Sequence, residues 1–211
     1  MGLSLTDSGF LFDEPLSNLD AKLHFQMRSE IKQNHQKLKI TTIYVTHDQV
    51  EGMTMVDKIV FMNDGFVEPI GTPLDLYDFP TNNFVAGLIG SPSMNFLDGT
   101  IQQGCFIAKY GSRVPLPDAH LQMSGESVRL VIRPEHLELE QAGFPAKILT
   151  VEPTGSETQV LMQPARQNVI GILRERIANR PGYMLGLSFQ PDRIHQFDAK
   201  AGQRLTMSAN N

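Results

Sequence analysis

Only one of the 211 residues is a cysteine, Cys105, so no internal disulfide can form and a reducing compartment fits. Cys105 itself reads as a small strand residue, not a reactive thiol. No apolar run approaches the roughly 20 residues that a membrane span needs, and no basic region followed by an apolar block opens the chain. Basic residues are scarce where a nucleic-acid face would need them. Residues 1–90 carry 6 Lys and Arg against 12 Asp and Glu, and residues 91–211 carry 12 against 11, within a net charge of −5. Neutralising phosphates takes a basic face, so nucleic acid is not expected as the partner. No lysine follows a glycine anywhere, so the chain holds no Gly-x-x-x-x-Gly-Lys-Ser/Thr loop that could cradle phosphates with backbone N–H groups and a lysine.

What is present is an ordinary globular composition, 41% hydrophobic and 19% charged, in a chain long enough for one or two cores. The acidic first part and near-neutral second part suggest two domains. The first is organised around Phe10-Leu11-Phe12-Asp13-Glu14-Pro15-Leu16-Ser17-Asn18-Leu19-Asp20. Three apolar residues read as a buried strand, and Pro15 stops its ladder. Two adjacent acids at such a strand end are costly to bury unless a cation or a polarised water uses them. For the pair alone, a solvated turn is the simpler account. The second stretch, Ile43-Tyr44-Val45-Thr46-His47-Asp48, changes the balance, because it is another β-branched run ending beside a histidine that can bond a phosphate oxygen or position a water. Side by side, the two strands would put Asp13, Glu14 and His47 at the sheet edge where open α/β sheets bind ligands.

These stretches, with Gln49, Glu51 and Met53 close behind, resemble the ATPase subunits of ABC importers, nearest to the sugar and glycerol-phosphate group that includes the maltose importer ATPase. In that family the hydrophobic-Asp-Glu stretch is the Walker B motif, Ser-Asn-Leu-Asp is the D-loop, and the histidine is the switch histidine. The resemblance runs from about Phe10 to the C-terminus. The phosphate loop and the Leu-Ser-Gly-Gly-Gln signature, which precede Walker B in the family, are absent, so the chain looks like the C-terminal part of a longer subunit. The resemblance implies that Asp13 holds Mg²⁺ through water, that Glu14 is the general base, and that His47 contacts the γ-phosphate. It also implies that Ser17 and Asp20 belong to the loop crossing to the other subunit of an ATP-closed dimer. ATP and Mg²⁺ are then cofactors of the full-length parent, and none is expected bound to this chain. Its implied partners are a second copy in a homodimer, membrane permease subunits and a regulatory protein. Its implied location is cytoplasmic, peripheral at the inner face of the membrane.

Along the chain, residues 1–9 read as a polar lead, frayed or extraneous. Leu23, Met27, Ile31 and Leu38 share one face of a helix over 21–38, which makes Met27 packing and not a ligand. Residues 41–46 read as a strand, Asp48 as the cap of a short helix, and Asn63-Asp64-Gly65 as a hairpin turn between two short strands. Thr72-Pro73-Leu74-Asp75 opens another helix, and 83–89 a last one, closed by Gly90. Gly90-Ser91-Pro92-Ser93 is the composition break that divides residues 10–90 from 91–211.

Beyond the break, eight short apolar or alternating runs separated by glycine and proline argue for a small β-barrel or sandwich. In the family this is the regulatory domain, with an oligonucleotide-binding-like fold called TOBE, and Ile132-Arg133-Pro134-Glu135-His136 resembles one of its landmarks. No stacking platform of aromatic and basic residues supports nucleic acid there. Glu135 and His136 lack further ligands and read as a structural surface pair, not a metal site. The fold expected is thus the second half of an α/β P-loop ATPase domain followed by an all-β regulatory domain. A competing reading is a stand-alone regulatory or dimerisation module without ATPase activity.

Overall fold

The computed structural model describes residues 2–6, 9–17, 19–109, 111, 113–116, 127–164, 166–177 and 180–205. Its contacts divide the chain into two units, residues 1–78 and 79–211.

The first unit is built on a three-stranded sheet. Strand β1 (Gly2–Thr6) pairs antiparallel with β2 (Gly9–Asp13), and β2 pairs parallel with β3 (Thr42–Val45). Residues 2–6 are therefore a strand and not a frayed lead. The alternation Leu3-Ser4-Leu5-Thr6 is a period-two pattern, too short to stand out in the sequence. Parallel neighbours need a crossover, and helix α1 (Ala21–Leu38) supplies it. Asp20 caps α1 by accepting from the Leu23 N–H at 2.9 Å, and Lys39 ends it in the left-handed conformation at φ +53°. Helix α2 (Gln49–Met55) starts at Asp48, whose carboxylate accepts from the amides of Val50 and Glu51.

The hairpin is shorter than the apolar runs 58–62 and 66–70 that flank its turn, with β4 (Met62–Asn63) and β5 (Phe66–Val67) two residues each. Asp64 and Gly65 take positive φ at its tip, +48° and +83°, as a turn of the primed type requires. Helix α3 (Pro73–Asp78) follows, with Thr72 Oγ accepting from the Asp75 N–H at 3.2 Å.

The two faces of the sheet differ. Phe12 and Tyr44 are half-buried with ring centroids 5.8 Å apart, whereas Leu11, Ile43 and Val45 on the opposite face are 39%, 62% and 46% exposed. Burying such a side chain is worth about 1.5–3 kcal/mol, so this unit forgoes much of its available hydrophobic stabilisation.

The second unit begins with helix α4 (Asn83–Leu88), capped by Asn82 at 2.8 Å from the Val85 N–H. Two antiparallel sheets follow. One runs β14 (His195–Asp198), β9 (Ser127–Ile132), β6 (Asn95–Gln102), β7 (Cys105–Ala108), β8 (Arg113–Pro115). The other runs β12 (Val169–Leu173), β11 (Thr158–Pro164), β10 (Leu137–Pro153), β13 (Met184–Phe189).

Residues from both sheets, among them Leu97, Ile101, Phe106, Leu130, Ile148, Met162 and Leu187, share one core. A smaller cluster of Ala86, Met94, Val131 and Phe197 joins α4 to β9 and β14. That packing places α4 in the second unit, so the units part at 78/79, ahead of the composition break at 90–93. Strand β9 is apolar nearly throughout because both its faces are covered, with Leu130 and Ile132 in the main core and Val131 in the smaller one. Strand β10 is about twice as long as the apolar run over 144–151 that the sequence shows. Its first part follows β13 from Leu137 to Leu139, shifts register, and resumes at Phe144. There Gly186 lies so close to the Glu140 carbonyl that a Cβ would collide with it.

Candidate functional site

Strand β2 ends at Asp13, paired in register with Val45 of β3. The next residue, Glu14, is in the left-handed region at φ +43°, a conformation rare for a residue with a Cβ. Its amide still donates to the Val45 carbonyl at 2.9 Å. The ladder thus continues one bond past the strand while the side chain is re-aimed. Pro15 and Leu16 are buried and anchor the turn. The Ser17 hydroxyl donates to the Glu14 carbonyl at 3.0 Å and closes it. Strain of about 1–3 kcal/mol at such a residue persists only where the surroundings fix it, and here an amide, a hydroxyl and a buried leucine do so.

The consequence is a contact across the strand ends. His47 Nδ1 lies 2.9 Å from Glu14 Oε1, and both side chains remain open to solvent. The hydrogen bond to Glu14, and then its charge, raise the His47 pKa above the usual histidine value. Asp13 sits beside them at the strand end, exposed. So Asp13, Glu14 and His47, chosen from sequence, lie at the C-terminal edge of a parallel pair, and two of them touch. Ser17 and Asp20 are in the following turn, where Asp20 caps α1 and Ser17 braces Glu14. Asn18 lies outside the described residues.

Chemically, an exposed carboxylate held against an imidazole can take a proton from a water, and a neighbouring second carboxylate can hold a hydrated divalent cation. The donor set fits the hydrolytic side of a Mg-nucleotide site. Nothing in the 211 residues supplies the phosphate-cradling loop.

Glu51 lies in the first turn of α2, where the helix dipole favours an acid. In the structure it is 2% exposed and accepts a hydrogen bond from the Tyr44 hydroxyl at 2.9 Å. Burial, then this bond and the Glu51 charge, raise the Tyr44 pKa well above its ordinary value. The pair Glu135 and His136 is less superficial than expected, since His136 is half-buried and its Nδ1 is shielded. Burial lowers its pKa.

The β-rich unit defines a class. A family model described as the MalK OB fold domain matches residues 90–137, and one described as the TOBE domain matches residues 130–197. The homologues of the chain are ABC transporter ATP-binding proteins, and it corresponds to the C-terminal part of them. It is 55% identical over 199 residues to the ABC transporter ATP-binding protein y4oS of Sinorhizobium fredii, covering 93% of this chain and 54% of that protein. It is 48% identical over 197 residues to a putative ATP-binding protein of Brucella abortus, covering 92% and 56%. It is 44% identical over 200 residues to the sn-glycerol-3-phosphate import ATP-binding protein UgpC of Yersinia pestis, covering 93% and 56%. The chain thus spans about half the length of the curated relatives it matches.

Proposed function

We propose that this chain is the C-terminal portion of an ATP-hydrolysing subunit that energises import of a small solute, of the sugar or glycerol-3-phosphate class, through an ABC permease. On this reading residues 10–90 are the second half of its P-loop ATPase domain, and the β-rich part is its regulatory domain. The observation that carries it is the 2.9 Å contact between Glu14 and His47 at the end of a parallel strand pair. Glu14 is the general base, His47 orients the water and meets the γ-phosphate, and Asp13 holds the Mg²⁺ through water. The cation would offset charge on the phosphates. Ser17 and Asp20 lie in the turn that faces a second subunit in an ATP-closed homodimer. Permease subunits hold the assembly at the cytoplasmic face of the membrane, and the regulatory domain receives a regulatory protein.

Positioning and charge stabilisation of the phosphates make up most of phosphoryl-transfer catalysis, and they need the missing loop. The chain alone is therefore inactive. A fluorescent ATP analogue titrated into the chain and into the full-length subunit tests this. The full-length subunit should bind it in the micromolar range with Mg²⁺ dependence, and the chain should not. Tight binding by the chain, or none by the full-length subunit, contradicts the reading.

A second reading, a regulatory or dimerisation module with no enzymatic role, is favoured by one observation. Both hydrophobic clusters among the described residues lie in the second unit. The same titration separates the two, since a pure module binds no nucleotide at any length.

A further inference from the structure

His24 on α1 and Asp48 and Glu51 at the start of α2 take no part in the chemistry above. Yet they bring one imidazole nitrogen and two carboxylate oxygens within 4.8 Å of one another. Glu51 is the unusual member, a carboxylate that is 2% exposed. Its Oε2 accepts from the neutral Tyr44 hydroxyl, and its Oε1 faces His24 Nδ1 at 3.8 Å, too far for a hydrogen bond. A buried carboxylate beside a second carboxylate is costly unless cationic groups offset the charge, and a bound cation can add to what His24 and the nearby Arg28 supply. Asp48 is already oriented, because the amides of Val50 and Glu51 hold its Oδ1 at 2.7 and 3.1 Å. Tyr44 likewise fixes the plane of the Glu51 carboxylate.

An imidazole nitrogen with two carboxylate oxygens suits borderline divalent ions such as zinc, cobalt or nickel, whereas magnesium and calcium prefer oxygen alone. We propose that His24, Asp48 and Glu51 bind one divalent transition-metal ion of the zinc type, which ties α1 to α2. Bonds of about 2.0–2.2 Å require the three atoms to close in slightly, and the partly exposed His24 side chain can rotate to do so. The site uses none of the groups assigned to hydrolysis, so its fate is independent of that assignment.

Zinc chloride titrated into the purified full chain by calorimetry, at neutral pH in a non-coordinating buffer, provides the test. One equivalent should bind in about the micromolar range or tighter, millimolar magnesium should not displace it, and the thermal midpoint should rise. His24→Arg puts a fixed cation opposite Glu51, so it offsets the carboxylate charge while removing the ligand. It should weaken binding by at least about tenfold and abolish the thermal shift. Asp48→Asn keeps an acceptor for the α2 cap and should weaken binding similarly. His35→Ala, which removes an imidazole elsewhere on α1, should change nothing. Absence of saturable zinc binding, or undiminished affinity in both His24→Arg and Asp48→Asn, overturns the proposal.

Discussion

Among single residues, His195 makes the clearest statement about stability. It is 8% exposed, its Nδ1 is buried without a partner among the described residues, and its pKa falls to about 4. Burial is the main cause, followed by Arg204, Arg133, His136 and Arg193, all of which disfavour a further positive charge. In the unfolded chain the same imidazole titrates near the ordinary value of about 6.5. Between those values the unfolded chain binds a proton that the folded chain refuses, so stability is full above about pH 6.5 and is lost as pH falls toward 4. Urea unfolding at about pH 7 and about pH 4.5 should show it. The native protein should lose about 1–2 kcal/mol more on acidification than His195→Gln, once solvent screening is allowed for. Equal losses in both would contradict it.

None of this was visible in the sequence, because the burial of His195 depends on partners far along the chain. His24 was silent for the same reason, as a lone histidine on a polar helix that meets residue 51 only after the crossover. Asp13, Glu14 and His47 were legible because an acid pair and a histidine end two apolar runs of strand character, a pattern that is local. The left-handed turn at Glu14 that joins them was not.

Elements with local signals were the ones the sequence specified. α1 occupies 21–38 as its periodicity and the Asp20 cap require, and Asp64-Gly65 makes its turn. β6, β9 and β13 coincide with the apolar runs over 95–102, 127–132 and 184–189. Elements without such signals were missed. The first half of β10 is Glu-rich, and β8 ends in a proline that reads as a turn. β1 is too short for its alternation to register.

The same contrast predicts dynamics. In the first unit, one sheet face and several residues of α1, such as Phe25 and Leu38, stay exposed, while the second unit holds both clusters. Amides of β2, β3, α1 and α2 should exchange at least about tenfold faster than those of β6, β9, β10 and β11, as expected of segments with few buried apolar contacts. Equal protection in hydrogen exchange would contradict this.

For the whole molecule, strands apolar nearly throughout, such as β9 and β13, would call for a symmetric partner if a face were left uncovered. β9 does not, because both its faces are covered within one chain. Strand β13 still leaves Met184 exposed. The expectation of a homodimer rests instead on the proposed function, in which the β-rich regulatory domain holds two subunits together without nucleotide. Light scattering behind a sizing column should give twice the 23.5 kDa monomer mass at high micromolar concentration, and a monomer would refute it.

In the proposed function, Glu14 and His47 form the hydrolytic edge of an ATPase subunit. Steady-state ATP turnover of the full-length subunit carrying Glu14→Gln, measured beside its ATP affinity, tests it most directly. Turnover should be lower by about 10²–10⁴-fold with affinity unchanged, because the base is lost and the shape kept. Turnover close to that of the unsubstituted subunit would contradict it.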